Sequence, residues 1–408
     1  MKNKKKPVEA SITNAVNNGL ADALLPNQSF GLGAQLSQLD TMFKNNRNYL
    51  VSNQRQLLSQ VYCEHGLIQT VVNVPVDDAM RGGFHLSSKQ LSEDELKELQ
   101  TFQKRQADLA KFGEAMKWNR LFGGGALIII TGQDWLTPLD ITKIAEGEEV
   151  SFKAVDMWEL YSDRQNIDET SKLELTPDQN GFYTYYSQKI HKSRVMILKG
   201  LSAPSFVRPR LRGWGLSVVE SVVRSINQYL KAADLSFEVL DEFKLDIFKI
   251  KNLSNTLLAP NGTEKIRQRV SLANSQKNYQ NALTMDAEDD YMQKQLSFSG
   301  LSEVMAGIRM QVACDLRMPL TKIFGISAAG FSSGEDDIEN YNAMVESEVR
   351  EKAHFDLLKI AEIRCQQLFG FVPDDLSGEF KPLRVLSSEQ EENVKTLKFN
   401  RLLASAML

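Results

Sequence analysis

Apolar residues recur every three or four positions over most of the chain and alternate over one middle stretch. That pattern predicts a mainly helical protein with a β-rich insert. Leu301, Val304, Met305, Ile308, Val312 and Leu316 form one helical face. Pro319 stops that helix, because it lacks an N–H and biases Met318 away from helical angles. Gly325, Gly330 and Gly334 punctuate the loop beyond it, and Ser332 or Ser333 can cap a second helix running from about Glu335 to Gly370. The inward stripe of that helix is Ile338, Tyr341, Val345, Val349, Leu357, Ile360, Ile363 and Leu368. Glu335, Asp336 and Asp337 occupy its first turn, where the helix dipole favours negative charge.

Upstream, a stripe of Val219, Val222, Ile226, Leu230, Ala233, Phe237 and Leu240 starts at Gly215-Leu216-Ser217 and runs toward Ile250. About 28 residues of helix would span roughly 40 Å, a rod. The pattern from Val61 to Ala79 predicts a helix turning at Pro75, and Ser92 with Glu95 makes a capping box for a charged helix reaching about Phe122. Gly123, Gly124 and Gly125 then precede the apolar run Ala126–Ile130. Phosphate loops follow a strand and open a helix, so this order points to a helix-to-strand junction with close backbone approach. Between about 150 and 206 the pattern turns to strands, FKAVDMWELYS, FYTYYSQ and HKSRVMILKG. Asn252 to Asn274 reads as a loop and a basic helix, and Asn281 to Asp290 as a strand ending in an acidic turn. A strand-like piece from Glu379 to Leu383 leads into a helix opened by Ser387 and Ser388.

The 408 residues could hold two or three ordinary domains or one elongated subunit, and 42% hydrophobic with 25% charged residues is a globular composition. A formal charge of −4 argues against tight duplex binding, which needs a basic surface. Cys63, Cys314 and Cys365 are few, odd in number and far apart, which points to reduced thiols. No apolar run approaches the roughly 20 residues needed to span a bilayer. The basic start Met1–Pro7 lacks the apolar core of a signal peptide, and residues 1–38 read as a mostly mobile arm.

Candidate chemistry is sparse. Asp77 and Asp78 could ligate a metal, but without a partner cluster they read as a helix end. Asp286, Glu288, Asp289 and Asp290 offer oxygens suited to Mg²⁺ or Ca²⁺, yet lack the glycine and spaced glutamate of a calcium loop. Neither metal nor cofactor is assigned. Arg208, Arg210 and Arg212 form a cluster suited equally to phosphate, to a neighbour's carboxylates or to water. Two H-x-S tripeptides, at His85 and His191, are the one enzyme-like signal, the pattern of a two-histidine phosphoesterase in which one imidazole accepts and the other donates a proton.

The run Pro319-Leu320-Thr321-Lys322-Ile323-Phe324-Gly325, with Ser327, Gly330, Ser333-Gly334-Glu335-Asp336-Asp337 and Tyr341, resembles the core motif of tailed-phage portal proteins. Ile323 stands where leucine is commoner, and Phe331-Ser332-Ser333 departs from the usual residues. The junction at Phe122–Ile130, the strand His191-Lys192-Ser193-Arg194-Val195 and the piece Ala282–Asp290 are similar to three further segments of that family. The resemblance covers roughly residues 60–385, most tightly 280–345.

It implies an α+β, portal-like fold, mainly helical with long rod helices and a β-rich insert. It divides the chain into a flexible arm (1–38), a helical and strand part of the wing (39–149), a β-rich wing or clip module (150–210), a core with long helices and a channel-side loop (211–380), and the start of a C-terminal helical region (381–408). It further implies a homo-oligomeric ring, commonly a dodecamer, at one capsid vertex, through which double-stranded DNA is packaged and ejected. Its implied partners are terminase, the major capsid protein and connector or adaptor proteins, with residence in the virion and in the host cytoplasm during assembly. In that setting Gly325, Ser327, Gly330, Ser333 and Gly334 are the candidate channel-side loop. Arg208, Arg210, Arg212, Glu335, Asp336 and Asp337 are candidate contacts to subunits or DNA.

Overall fold

The computed structural model describes residues 50–162, 175–178, 180–241, 244–249, 261–280, 290–295, 300–326 and 335–384, with 392 and 396 singly. The predicted arm at 1–38 and the helix opened by Ser387 lie outside the described residues or almost wholly so. The chain separates into a larger unit, 41–226 with 309–408, and a smaller one whose described part falls within 227–308.

In the larger unit, helix α1 (Arg55–Glu64) gives way to α2 (Gly66–Arg81) at His65, not at Pro75, which sits inside α2. His65 breaks the helix because its backbone is extended while its Nδ1 accepts from the Leu67 N–H, so it ends one helix and caps the next. Strand β1 (Phe84–Ser87) follows, then α3 (Glu93–Arg105) and α4 (Asp108–Phe122). The capping box at Ser92 and Glu95 forms as predicted. The single helix expected to reach Phe122 is instead two, split where Ala107 takes a left-handed φ of 55°.

Strand β2 (Gly124–Ile130) is the central strand of an antiparallel sheet, between β3 (Ser151–Asp156) and β7 (Val195–Lys199). A second small sheet joins β4 (Leu160–Tyr161), β5 (Phe182–Tyr185) and β6 (Gln188–His191). The glycines before β2 have a plain steric reason. Gly123 has φ +87°, and a Cβ there would lie 2.3 Å from the Gly215 carbonyl oxygen. At Gly124 a Cβ would sit 2.2 Å from the buried Trp214 ring. The Gly123 carbonyl in turn accepts from the Gly200 and Gly215 N–H groups at 3.0 and 2.9 Å, which laces the end of β7 to the following segment. Gly123→Ala therefore combines a left-handed β-carbon with a backbone collision, and urea denaturation should show a loss of about 3 kcal/mol.

Helix α5 (Val218–Asp241) carries Val219, Val222, Val223 and Ile226 into the core of the larger unit. It is 24 residues long and stops before the predicted end, because Lys244–Lys249 forms strand β8. That strand belongs to the smaller unit and pairs antiparallel with β9 (Asp290–Gln295), from Lys244 opposite Gln295 to Lys249 opposite Asp290. Between them lies α6 (Gly262–Gln280). Helix α7 (Leu301–Leu316) buries Val312 and Leu316 but leaves Val304 exposed, against the predicted stripe.

Beyond α7, α8 (Leu320–Phe324) starts at Pro319 and ends at Gly325, whose φ of +68° suits glycine. Helix α9 (Glu335–Val345) then continues through a π-turn (Glu346–Arg350) into α10 (Glu351–Phe369), which Gly370 terminates as expected. Tyr341, Val345, Val349, Ala353, Leu357, Ala361 and Cys365 are all buried, a strict four-residue repeat. Four residues of α-helix overshoot one turn by about 40°, so such a stripe drifts off its face unless the helix is locally unwound. The wider π-turn takes up part of that drift. Ile338 breaks the predicted stripe and is 44% exposed. Strand β10 (Ser377–Phe380) pairs with β1, over a cluster of Leu86, Leu91, Leu99, Ala361 and Cys365.

Candidate functional site

The segment that carries the core motif is fastened from both sides to the end of α2. Asp78 is buried there, in the run of Val71, Val72, Val76 and Ala79. One of its carboxylate oxygens accepts from Lys322 Nζ at 2.9 Å and from the Tyr341 hydroxyl at 2.7 Å, while the other meets Arg81. Lys322 lies on α8 and Tyr341 on α9, so the two elements flanking residues 327–334 end on the same carboxylate. Burial and then the bond to Asp78 push the Tyr341 hydroxyl well above its ordinary pKa, so it stays a donor.

The next turns repeat this logic with arginines. Arg350, buried in the π-turn, donates to the Ala79 carbonyl at 3.0 Å and to the Lys381 carbonyl at 2.8 Å, and lies 4.9 Å from the centre of the Phe380 ring. Arg120 on α4 donates to the Val71 carbonyl at 3.0 Å and stands 3.8 Å from Glu348, which also meets Arg317 at 3.4 Å. Helix α2 is thus the common anchor of α4, α8, α9 and the π-turn. Asp78 and its partners hold these elements in place and carry no metal-like grouping; among the described residues no three His, Cys, Asp or Glu side chains come together for a metal ion.

Of the predicted loop residues, Gly325 is the C-terminal cap of α8, while Ser327, Gly330, Ser333 and Gly334 lie outside the described residues. Asp336 and Asp337 are exposed in the first turn of α9, which opens at Glu335. Arg208, Arg210 and Arg212 share one surface turn. Arg208 donates through Nε to the Ala203 carbonyl at 2.7 Å, Arg210 lies 5.5 Å from the exposed Phe206 ring, and Arg212 lies 5.4 Å from the Trp158 ring. Of the acidic run, Asp286, Glu288 and Asp289 fall outside the described residues, and Asp290 opens β9.

The two histidines lie in separate sheets. His85 lies on β1 beside β10, whereas His191 lies on β6 beside β5, in a different sheet. Each ring is engaged locally, His85 Nε2 with the Gly82 carbonyl at 3.2 Å and His191 Nδ1 with Ser193 Oγ at 2.9 Å. A two-histidine phosphoesterase needs both imidazoles on one phosphate, so that alternative has no support.

One titration is set by the fold. Burial raises the Asp356 carboxyl on α10 to about 6, with Lys359 opposing, and Lys359 itself donates to the Ser193 carbonyl at 3.1 Å. A folded acid above its ordinary value binds its proton more tightly than the unfolded chain does, so stability falls as pH rises from about 4 through 6. Asp356→Asn should flatten that slope and raise the melting midpoint at neutral pH, as circular dichroism melts across this range would show.

Comparison with known proteins agrees with this architecture. The chain is 29% identical to an uncharacterized Haemophilus influenzae protein, over 78% of this chain and 72% of that one. It is 23% identical to a Sphingomonas paeninsulae protein named anti-CBASS protein Acb1, over 70% of this chain and 47% of the relative. It thus spans about half the length of that relative. A chain in the neck of a native gene transfer agent (GTA) particle, computed with C12 symmetry, has a similar fold, with TM-score 0.50, 11% identity, and 86% and 90% of the two chains covered. Residues 56–401, which include the Asp78 anchor, the glycine junction and the π-turn, match the family described as phage portal protein. The chain belongs to the phage portal protein family, a structural rather than an enzymatic one.

Proposed function

We propose that this portal protein assembles as a closed ring of about twelve copies at one vertex of a tailed-phage capsid, passing double-stranded DNA inward during packaging and outward at ejection. The family match over residues 56–401 carries the reading, and a similar fold within a neck of C12 symmetry supports the copy number. Identical head-to-tail contacts close into a cycle when their rotation permits. In the smaller unit, Leu235 and Phe237 on α5 and Val304 on α7 are exposed in the single chain, apolar area that neighbouring copies would cover. The ring would dock terminase on the packaging side, connector or adaptor proteins after packaging, and the major capsid protein around it. Its place is the virion, and the host cytoplasm during assembly. No helix among the described residues is long and apolar enough to cross a membrane.

Within the ring, Gly325, Ser327, Gly330, Ser333 and Gly334 belong to the channel side, and the Asp78 anchor fixes the elements that carry them. Arg208, Arg210 and Arg212, with Glu335, Asp336 and Asp337, belong to contacts between subunits or with DNA. Light scattering combined with negative-stain imaging tests the reading. Hollow rings of about a dozen copies are expected. Absence of rings both alone and on co-expression with the major capsid protein would overturn it.

A further inference from the structure

A cavity of about 560 Å³ opens where α2 ends, between β1, the α3–α4 junction and α10. That volume lies within the range of sites that hold small ligands. Val76, Met80, Phe84, Leu357 and Ile360 line its apolar part, and three of them, Val76, Leu357 and Ile360, are almost fully buried, which makes this the deep end. Lys104 and Lys381 line it too, and both are exposed, which puts them at the mouth.

The charges around the cavity do not cancel. Asp77 is engaged by Lys117 at 2.7 Å. Both oxygens of Asp108 are taken by Arg364, at 2.6 and 2.7 Å. Lys104 and Lys381 form no ion pair among the described residues, so the two uncompensated charges are both positive. The start of α4 adds to this. Its N-cap, Ala107, offers no side-chain acceptor, and the N–H groups of Asp108, Leu109 and Ala110, three residues that line the same space, find no acceptor among the described residues.

We infer that this cavity binds an amphipathic anion, an apolar group of aromatic or acyl character that carries a carboxylate or sulfonate. Its apolar body would lie against Val76, Leu357 and Ile360, and its charge between Lys104, Lys381 and the start of α4. This is a property of one copy of the chain and does not depend on ring assembly. Shape and charge act separately here, and that separation makes the site testable.

The probes are the anionic dye 8-anilinonaphthalene-1-sulfonate and its uncharged analogue N-phenyl-1-naphthylamine, titrated by fluorescence into the full-length protein. Saturable binding of the anionic dye is expected. The double variant Lys104→Glu/Lys381→Glu should weaken it about tenfold and leave the neutral dye unchanged, since only the charged contacts are lost. Both lysines are exposed, so the variant should keep its circular dichroism spectrum. Ala110→Trp, which fills the mouth, should weaken both dyes. Displacement by N-acetylphenylalanine alone would assign an aromatic peptide source, and displacement by octanoate alone an acyl source. The inference is overturned if the anionic dye shows no saturable binding, if the lysine variant binds it as tightly as the native protein, or if neither competitor displaces it.

Discussion

Asp78→Ala lowers the stability of the folded chain by about 3–5 kcal/mol, the cost of removing one partner from a buried, charged hydrogen-bond network. The substitution leaves the Lys322 ammonium and the Tyr341 hydroxyl without the acceptor on which both converge. Asp78→Asn keeps a side-chain oxygen to accept one of these bonds, removes the charge that balances Lys322, and falls between the alanine variant and the native protein. Tyr341→Phe deletes only a donor and costs about 1–2 kcal/mol, because Asp78 retains Lys322 and Arg81. Urea denaturation gives the order directly. Should Asp78→Ala prove no more costly than Tyr341→Phe, Lys322 and Tyr341 are not held by this carboxylate, and the elements flanking residues 327–334 are fixed in some other way. In the proposed ring, the alanine variant would also loosen α8 and α9, so packaging should suffer at temperatures where assembly persists.

The parts of the fold that follow from neighbours in the chain were legible, and those that depend on distant partners were not. The capping box at Ser92 and Glu95, the helix end at Gly123 and the cap at Gly370 are local rules, and each appears where the sequence places it. The split at Ala107 has no glycine or proline to announce it; it occurs where Asp108 turns in to meet Arg364, 256 positions away. Residues 244–249 extend the apolar pattern of α5, and only pairing with β9 makes them a strand. Ile338 keeps helical phase with Tyr341 yet faces outward, since phase alone does not say which side of a helix another element will cover. The Asp78 anchor left one trace, a carboxylate on a valine-rich helix, but its distant partners, Lys322 and Tyr341, lie 244 and 263 positions away. Lys322 and Tyr341 were both within the motif that resembled the portal family, whose spacing carried the contact without naming it.

The second large effect comes from the pair that splits α3 from α4. Arg364 is fully buried, and its guanidinium meets Asp108 through two parallel bonds while also donating to the Val150 carbonyl and Gln367 Oε1, at 2.9 and 2.6 Å. The Phe102 and Phe152 rings lie 5.4 and 4.8 Å from it. Asp108→Ala strands this cation in the core and should cost about 3–5 kcal/mol. Arg364→Lys is nearly as damaging despite keeping the charge, because an ammonium cannot span both carboxylate oxygens and still reach Val150 and Gln367. If the pair were only an electrostatic attraction, lysine would restore most of the stability. If the planar fork itself holds α4, β3 and α10 in register, it would not, and urea denaturation of Asp108→Ala, Arg364→Lys and the double variant separates the two. The double variant should be little worse than Asp108→Ala alone, since both remove the same junction.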